Sequence, residues 1–199
     1  FHDGQLLPAA IGPDLRIEAV DEFSSGRYQV VIKNALGELT TQAEIRVVEK
    51  PRLIVTELLA EASPQGTAIG HQDWWELTSY HSEPVQLGGY RFDDDPGVVK
   101  NSFVIATNIV IQPGESIIFV EGMSRSRFIQ WWGPQNLPPN LQVITYHANG
   151  FQFEADSVTL FGPHATDNAD WVCAVGFADG PTGVSLWFDP AIAPFGEPS

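Results

Sequence analysis

The chain has 199 residues, 43% hydrophobic and only 18% charged, with 25 acidic against 10 basic side chains and a net charge of −15. That length suits one or two domains, that apolar content excludes wholesale disorder, and an acidic surface repels phosphate backbones and anionic lipid, so neither nucleic acid binding nor membrane insertion is expected. No apolar run reaches membrane-spanning length, the lone Cys173 excludes an intrachain disulfide and a cysteine-based zinc cluster, and no charged leader with an apolar run opens the chain, so any export signal is expected outside it.

Short apolar runs rich in Val, Ile, Phe and Trp, punctuated by Gly, Pro, Asn and Asp, predict an all-β sandwich or barrel. In chain order, strands are expected at 15–19, 27–34, 41–48, 53–59, 74–79, 90–92, 103–111, 116–121, 142–146, 157–161 and 170–175. Turn signals separate them at Ala35-Leu36-Gly37, Gly88-Gly89, Pro113-Gly114 and Asn149-Gly150. One short helix is expected, with Ser124 at its N-cap, Phe128 and Trp132 spaced i,i+4, and Gly133 as its stop. Eight residues' worth of helix needs packing against a sheet to persist.

A boundary is expected at Glu49-Lys50-Pro51-Arg52, dividing the chain into 1–50 and 51–199. The first part carries 8 acids and 5 bases, the second 17 acids and 5 bases, so net charges are −3 and −12. The acidic character belongs to the second part.

In the first part, Asp21-Glu22-Phe23-Ser24-Ser25-Gly26-Arg27-Tyr28-Gln29-Val30 resembles the Asp-x-Gly-x-Tyr-x-Cys corner of immunoglobulin domains. The resemblance implies that the Tyr28 hydroxyl bonds backwards to the chain, that Val30 takes the cysteine's place in a core, and that 30–34 and 39–48 form a hairpin. Phe1-His2-Asp3-Gly4-Gln5-Leu6-Leu7 is similar to the strand and turn after strand C of that fold. On this reading 1–50 is the C-terminal part of an immunoglobulin-like domain. Its uncovered face and strand edges are expected to pack on the second part or to self-associate with another copy.

In the second part, Ile54-Val55-Thr56-Glu57-Leu58-Leu59 is followed by Asp73-Trp74-Trp75-Glu76-Leu77-Thr78-Ser79-Tyr80 and by Pro84-Val85-Gln86-Leu87-Gly88-Gly89-Tyr90-Arg91-Phe92-Asp93-Asp94. Pro113-Gly114 then joins two apolar runs, and Ala155-Asp156-Ser157-Val158-Thr159-Leu160 and Asp170-Trp171-Val172 come later. This order resembles the lamin tail domain. It departs at Ser79-Tyr80, at Tyr90 in place of Trp, and in a long insertion around 131–140. The resemblance implies an immunoglobulin-like β-sandwich. It also implies a non-catalytic interaction or spacer module of a secreted or cell-surface bacterial protein. Without heptads, the filament role of the animal members does not carry over. A carbohydrate-binding module, with or without structural calcium, and an accessory domain of a secreted hydrolase are the alternatives.

Among chemistry-bearing residues, Glu57, Asp73, Glu76, Asp93, Asp94 and Asp95 converge if the first strands pair. Hard oxygen donors of this kind suit calcium, with Glu57, Asp73, Asp93, Asp94 and Asp95 as its ligands. The alternative is a solvated turn whose aspartates bond local amides. Adjacent Trp74 and Trp75 must point to opposite faces of a strand. Trp74 and Trp131 are therefore the candidates for stacking on a sugar ring or anchoring a protein partner. The five histidines are scattered, and neither a Gly-x-Ser-x-Gly elbow nor a phosphate-binding glycine loop occurs. No enzymatic activity is expected. Cys173, between Val172 and Ala174, reads as a small buried apolar residue.

Overall fold

β-Branched and aromatic residues dominate the strands of the computed structural model. It describes every residue except 9–11, 18–19, 21, 46, 48–49, 61–71, 95–96, 148–150, 152–154, 179–181, 192–194 and 197–199. The chain is mostly β and divides into two units, Phe1–Lys50 and Pro51–Ser199.

In the first unit, β1 (Gly26–Asn34) and β2 (Gly37–Ile45) form a hairpin closed by Ala35 and Leu36. Its register pairs Tyr28 with Ala43, Val30 with Thr41 and Ile32 with Leu39 on one face. Arg27 with Glu44 and Lys33 with Glu38 fall on the other. The first face is apolar, yet Val30, Ile32 and Leu39 are 54%, 57% and 64% exposed. The N-terminal residues run along the other edge of β1, where His2 bridges to Tyr28. The Phe1 ammonium donates to the Gln29 carbonyl at 2.9 Å. The Tyr28 hydroxyl donates back to the Ser24 carbonyl at 3.0 Å, and its ring stacks on His2.

The second unit holds β3 (Leu53–Leu59), β4 (Trp74–Ser79), β5 (Val85–Gln86), β6 (Arg91–Asp93), β7 (Phe103–Val104), β8 (Val110–Ile111), β9 (Ser116–Glu121), β10 (Gln142–Tyr146), β11 (Ala155–Phe161), β12 (Trp171–Ala178), β13 (Leu186–Trp187) and β14 (Phe195–Gly196). They make one sheet in the order β10-β9-β4-β3-β13, a second in the order β14-β12-β11-β6-β7, and a small β5-β8 pair. Alternate residues of both five-stranded sheets enter one core. Val55, Trp75, Leu77 and Phe119 come from the first sheet, and Phe92, Leu160, Cys173 and Val175 from the second. The arrangement is β-sandwich-like. Trp75 stacks on Phe119 at 4.2 Å between ring centroids and meets Phe92 edge-on.

A strand whose outer face meets only water alternates apolar and polar, but β3 and β4 are buried on both faces apart from Glu57 and Glu76. At Leu59 and Trp74 the outer face is covered by α1 (Arg125–Trp132). Its Phe128, only 1% exposed, joins Leu59, Trp74, Ile118, Val120 and Val143 in a second core. Ser124 stands at the N-cap in extended conformation, and Gly133, at φ +82°, ends the helix in a conformation that disfavours a β-carbon. A 3₁₀ turn at Pro134–Asn136 follows. The segment read as an insertion thus forms the end of this cover.

Some expectations differ from the structure. Residues 15–17 form no strand. The expected strand 103–111 is two short strands in different sheets, because a turn at Thr107-Asn108 lets β7 pair with β6 and β8 with β5. The Pro113-Gly114 turn is present, with Gly114 at φ +72° and the Glu115 amide donating to the Gln112 carbonyl at 3.0 Å. Among the described residues, no helix is long and apolar enough to cross a membrane.

Candidate functional site: an acidic groove with aromatic walls

On the outer face of the first sheet, β3, β4 and β9 form the floor of a groove of about 480 Å³. Glu57, Glu76 and Ser116 lie on the floor, and Trp74, Phe128, Trp132, Leu137 and Pro138 wall the helical side. Glu115 is at the Pro113-Gly114 turn.

Backbone register creates the acidic floor. Glu57 and Glu76 are cross-strand partners. The register shifts between Val55 and Glu57, so Thr56 is an extra residue in β3. That bulge turns Thr56 and Glu57 together towards Glu76 on the outer face. Trp187, half-exposed, is the partner of Glu57 on the other side in β13, so it shares the face.

Each carboxylate is held by neutral donors. The Thr56 hydroxyl donates to Glu76 Oε1 at 2.6 Å. Thr56 and Thr78 hydroxyls lie 2.7 Å apart, as do those of Thr78 and Ser116. A hydroxyl has one proton. With Thr56 committed to Glu76, the Thr78 proton is shared between Thr56 and, at 3.3 Å, Glu76 Oε1, Ser116 donates to Thr78, and every hydroxyl dipole points towards the carboxylate. Thr56 and Thr78 are 4% and 8% exposed, so this chain is sheltered from water. Ser185 donates to Glu57 Oε1. Glu115 Oε1 accepts from Gln142 Nε2 at 2.8 Å, and Oε2 from the Gln112 amide at 2.7 Å.

Burial pushes the Glu57 carboxyl above the usual carboxylate range. The charge of Glu76 adds to the rise, and the Ser185 hydrogen bond opposes it. Among the described residues, no ion pair involves any of the three groove glutamates. The indole N–H groups of Trp74 and Trp132 are buried without an acceptor among the described residues.

The residues nominated from sequence fall in several places. Glu57 and Trp74 reach the groove, Trp74 as a 3% exposed wall residue against Phe128 and Trp132. Trp131 is partly buried and packs on Phe128 and Trp132. Asp93, in the other sheet, accepts from the Val98 amide at 2.7 Å and so closes its own turn. Asp73 and Asp94 come to one locality, where with Glu121 and Asp156 their charges act on Tyr146. Burial above all, and then those charges, hold the Tyr146 hydroxyl well above its ordinary range. Asp95 lies outside the described residues. Among the described residues, no three His, Cys, Asp or Glu side chains gather as a metal site. Of the described calcium candidates, Glu57 lies at the groove, Asp93 at its own turn, and Asp73 and Asp94 near Tyr146.

Sequence reasoning did not single out Glu115, Trp132 or Trp187 for a site. The i,i+2 spacing of Trp74 and Glu76 already places them on one face. The bulge that adds Glu57 and the return of β13 have no such signal.

The fold is thus that of a mostly β, sandwich-like protein with an acidic groove on one outer face. No family model matches the chain, and no curated protein matches it.

Proposed function

We propose that the second unit is a non-catalytic interaction module of a secreted or cell-surface protein, and that it docks a partner through the acidic groove. The carrying observation is that groove: about 480 Å³, within the roughly 300–1,000 Å³ typical of ligand sites, and walled by two tryptophans over a floor of glutamates. The order of the motifs from Ile54 to Val172 supports reading the sandwich as lamin-tail-like and immunoglobulin-like. The backward hydrogen bond of Tyr28 supports reading the first unit as the end of an immunoglobulin-like domain. The exposed apolar face of its hairpin supports self-association through that unit.

Among the described residues, the groove lining offers no His, Cys or Lys as base or nucleophile. The Ser116 hydroxyl there is engaged by Thr78. This supports a binding rather than a catalytic role.

The second reading is carbohydrate binding, favoured by the half-exposed Trp187 beside Glu57. Selection of the full chain against a random peptide library and a glycan array separates the two. Peptide enrichment that disappears in Trp132→Ala is expected. Glycan enrichment lost in Trp187→Ala would move the assignment to carbohydrate binding, and no enrichment of either would overturn docking.

A further inference from the structure

We propose that the groove receives the guanidinium group of an arginine side chain carried on a basic segment of a partner protein. This rests on the docking reading above and names its ligand chemistry.

The floor demands positive charge. Glu57 and Glu76 lie on it and Glu115 at its edge, and each accepts hydrogen bonds from neutral donors. Partly buried carboxylates without a cation are costly, and Glu57 shows it in its raised affinity for a proton. Arg125 at the helical edge spends its Nε on the Leu141 carbonyl at 3.1 Å and pairs with none of the three.

Shape selects the kind of cation. A guanidinium is flat and presents five N–H donors in a rigid fork, so it can address the side-by-side Glu57 and Glu76 together. An ammonium is a compact point charge. The same flat group stacks on indole faces, and the half-buried Trp132 in the groove wall supplies one.

Charge favours a basic protein segment as the carrier. The net charge of −12 on residues 51–199 draws basic segments in and speeds their encounter.

The test uses the full chain and blocked Gly-Gly-Arg-Gly-Gly, followed by tryptophan fluorescence and by the indole N–H resonances. Saturable binding is expected to shift the Trp74 and Trp132 signals. The citrulline peptide, nearly the same shape without the charge, is expected to bind at least about tenfold more weakly, and the lysine peptide to fall between them. Glu76→Gln is expected to lose about tenfold for the arginine peptide while leaving citrulline binding unchanged. Absence of arginine-peptide binding, equal binding of the citrulline peptide, or full affinity in both Glu57→Gln and Glu76→Gln overturns the proposal. The citrulline arm needs no mutation, so misfolding of a variant cannot obscure the answer. Library selection that converges on sequences without arginine, yet depends on Trp132, sinks the guanidinium and spares docking; loss of all peptide binding sinks both.

Discussion

Glu57 and Glu76 stand directly opposite each other on adjacent antiparallel strands, two like charges on one face of a sheet. Such a pair works against folding. Here it is retained beside a bulge, a hydroxyl chain and a groove, all of which depend on the same two strands.

The pair makes stability pH-dependent with a definite sign. Glu57 titrates above its unfolded value, chiefly through burial and then through Glu76. The folded state therefore holds this proton more tightly than the unfolded state. Its contribution is most favourable below the ordinary carboxylate range and is lost as pH rises through the raised value. Glu57→Gln keeps an acceptor for Ser185 and removes the repulsion. At pH 7 its melting temperature should exceed that of the parent by about 1–2 °C, from about 0.5 kcal/mol after solvent screening. Thermal scans at pH 4 and pH 7 should show the gain shrinking in acid. An equal gain at both would place its origin elsewhere.

The hydroxyl chain should be cooperative. Thr78→Val removes the hydroxyl between Thr56 and Ser116, and should cost about 1–2 kcal/mol in urea unfolding. Ser116→Ala at the end of the chain should cost less, about 0.5–1 kcal/mol. A double-mutant cycle between Thr56→Val and Thr78→Val should give a non-zero coupling, because both changes withdraw support from Glu76.

Phe128 fastens the helix to the sheet. Phe128→Ala should cost about 3–4 kcal/mol, and near-ultraviolet circular dichroism should report loss of the Trp74, Trp131 and Trp132 environment. Far-ultraviolet signal from the strands should persist, since the inter-sheet core does not include Phe128.

The first unit should reveal its uncovered face in solution. Sedimentation equilibrium should show concentration-dependent association, and Ile32→Lys should abolish it without unfolding the second unit. Val31→Lys, on the other face of β1, should leave association intact.

Tyr28→Phe should destabilise the first unit by about 1 kcal/mol through loss of the bond to the Ser24 carbonyl. Hydrogen exchange should read this as faster exchange in β1 with no change in β3 or β4.

Much of this fold was legible before any coordinates. Alternation placed Trp75 and Leu77 on one face and Trp74 and Glu76 on the other, because successive side chains of a strand must diverge. Pro113-Gly114 and Ser124 to Gly133 declared a turn and a helix through local backbone preferences. What local chemistry could not declare is which surface the helix would cover, that β3 would bulge at Thr56, and that Trp187 would return beside Glu57. Those follow from pairings between residues far apart in the chain. The acidic residues were visible individually. Their sorting into a groove, a self-closed turn at Asp93 and a group around Tyr146 was settled only when the two sheets met, since strand register and sheet membership are properties of the whole assembly of strands and of no single segment.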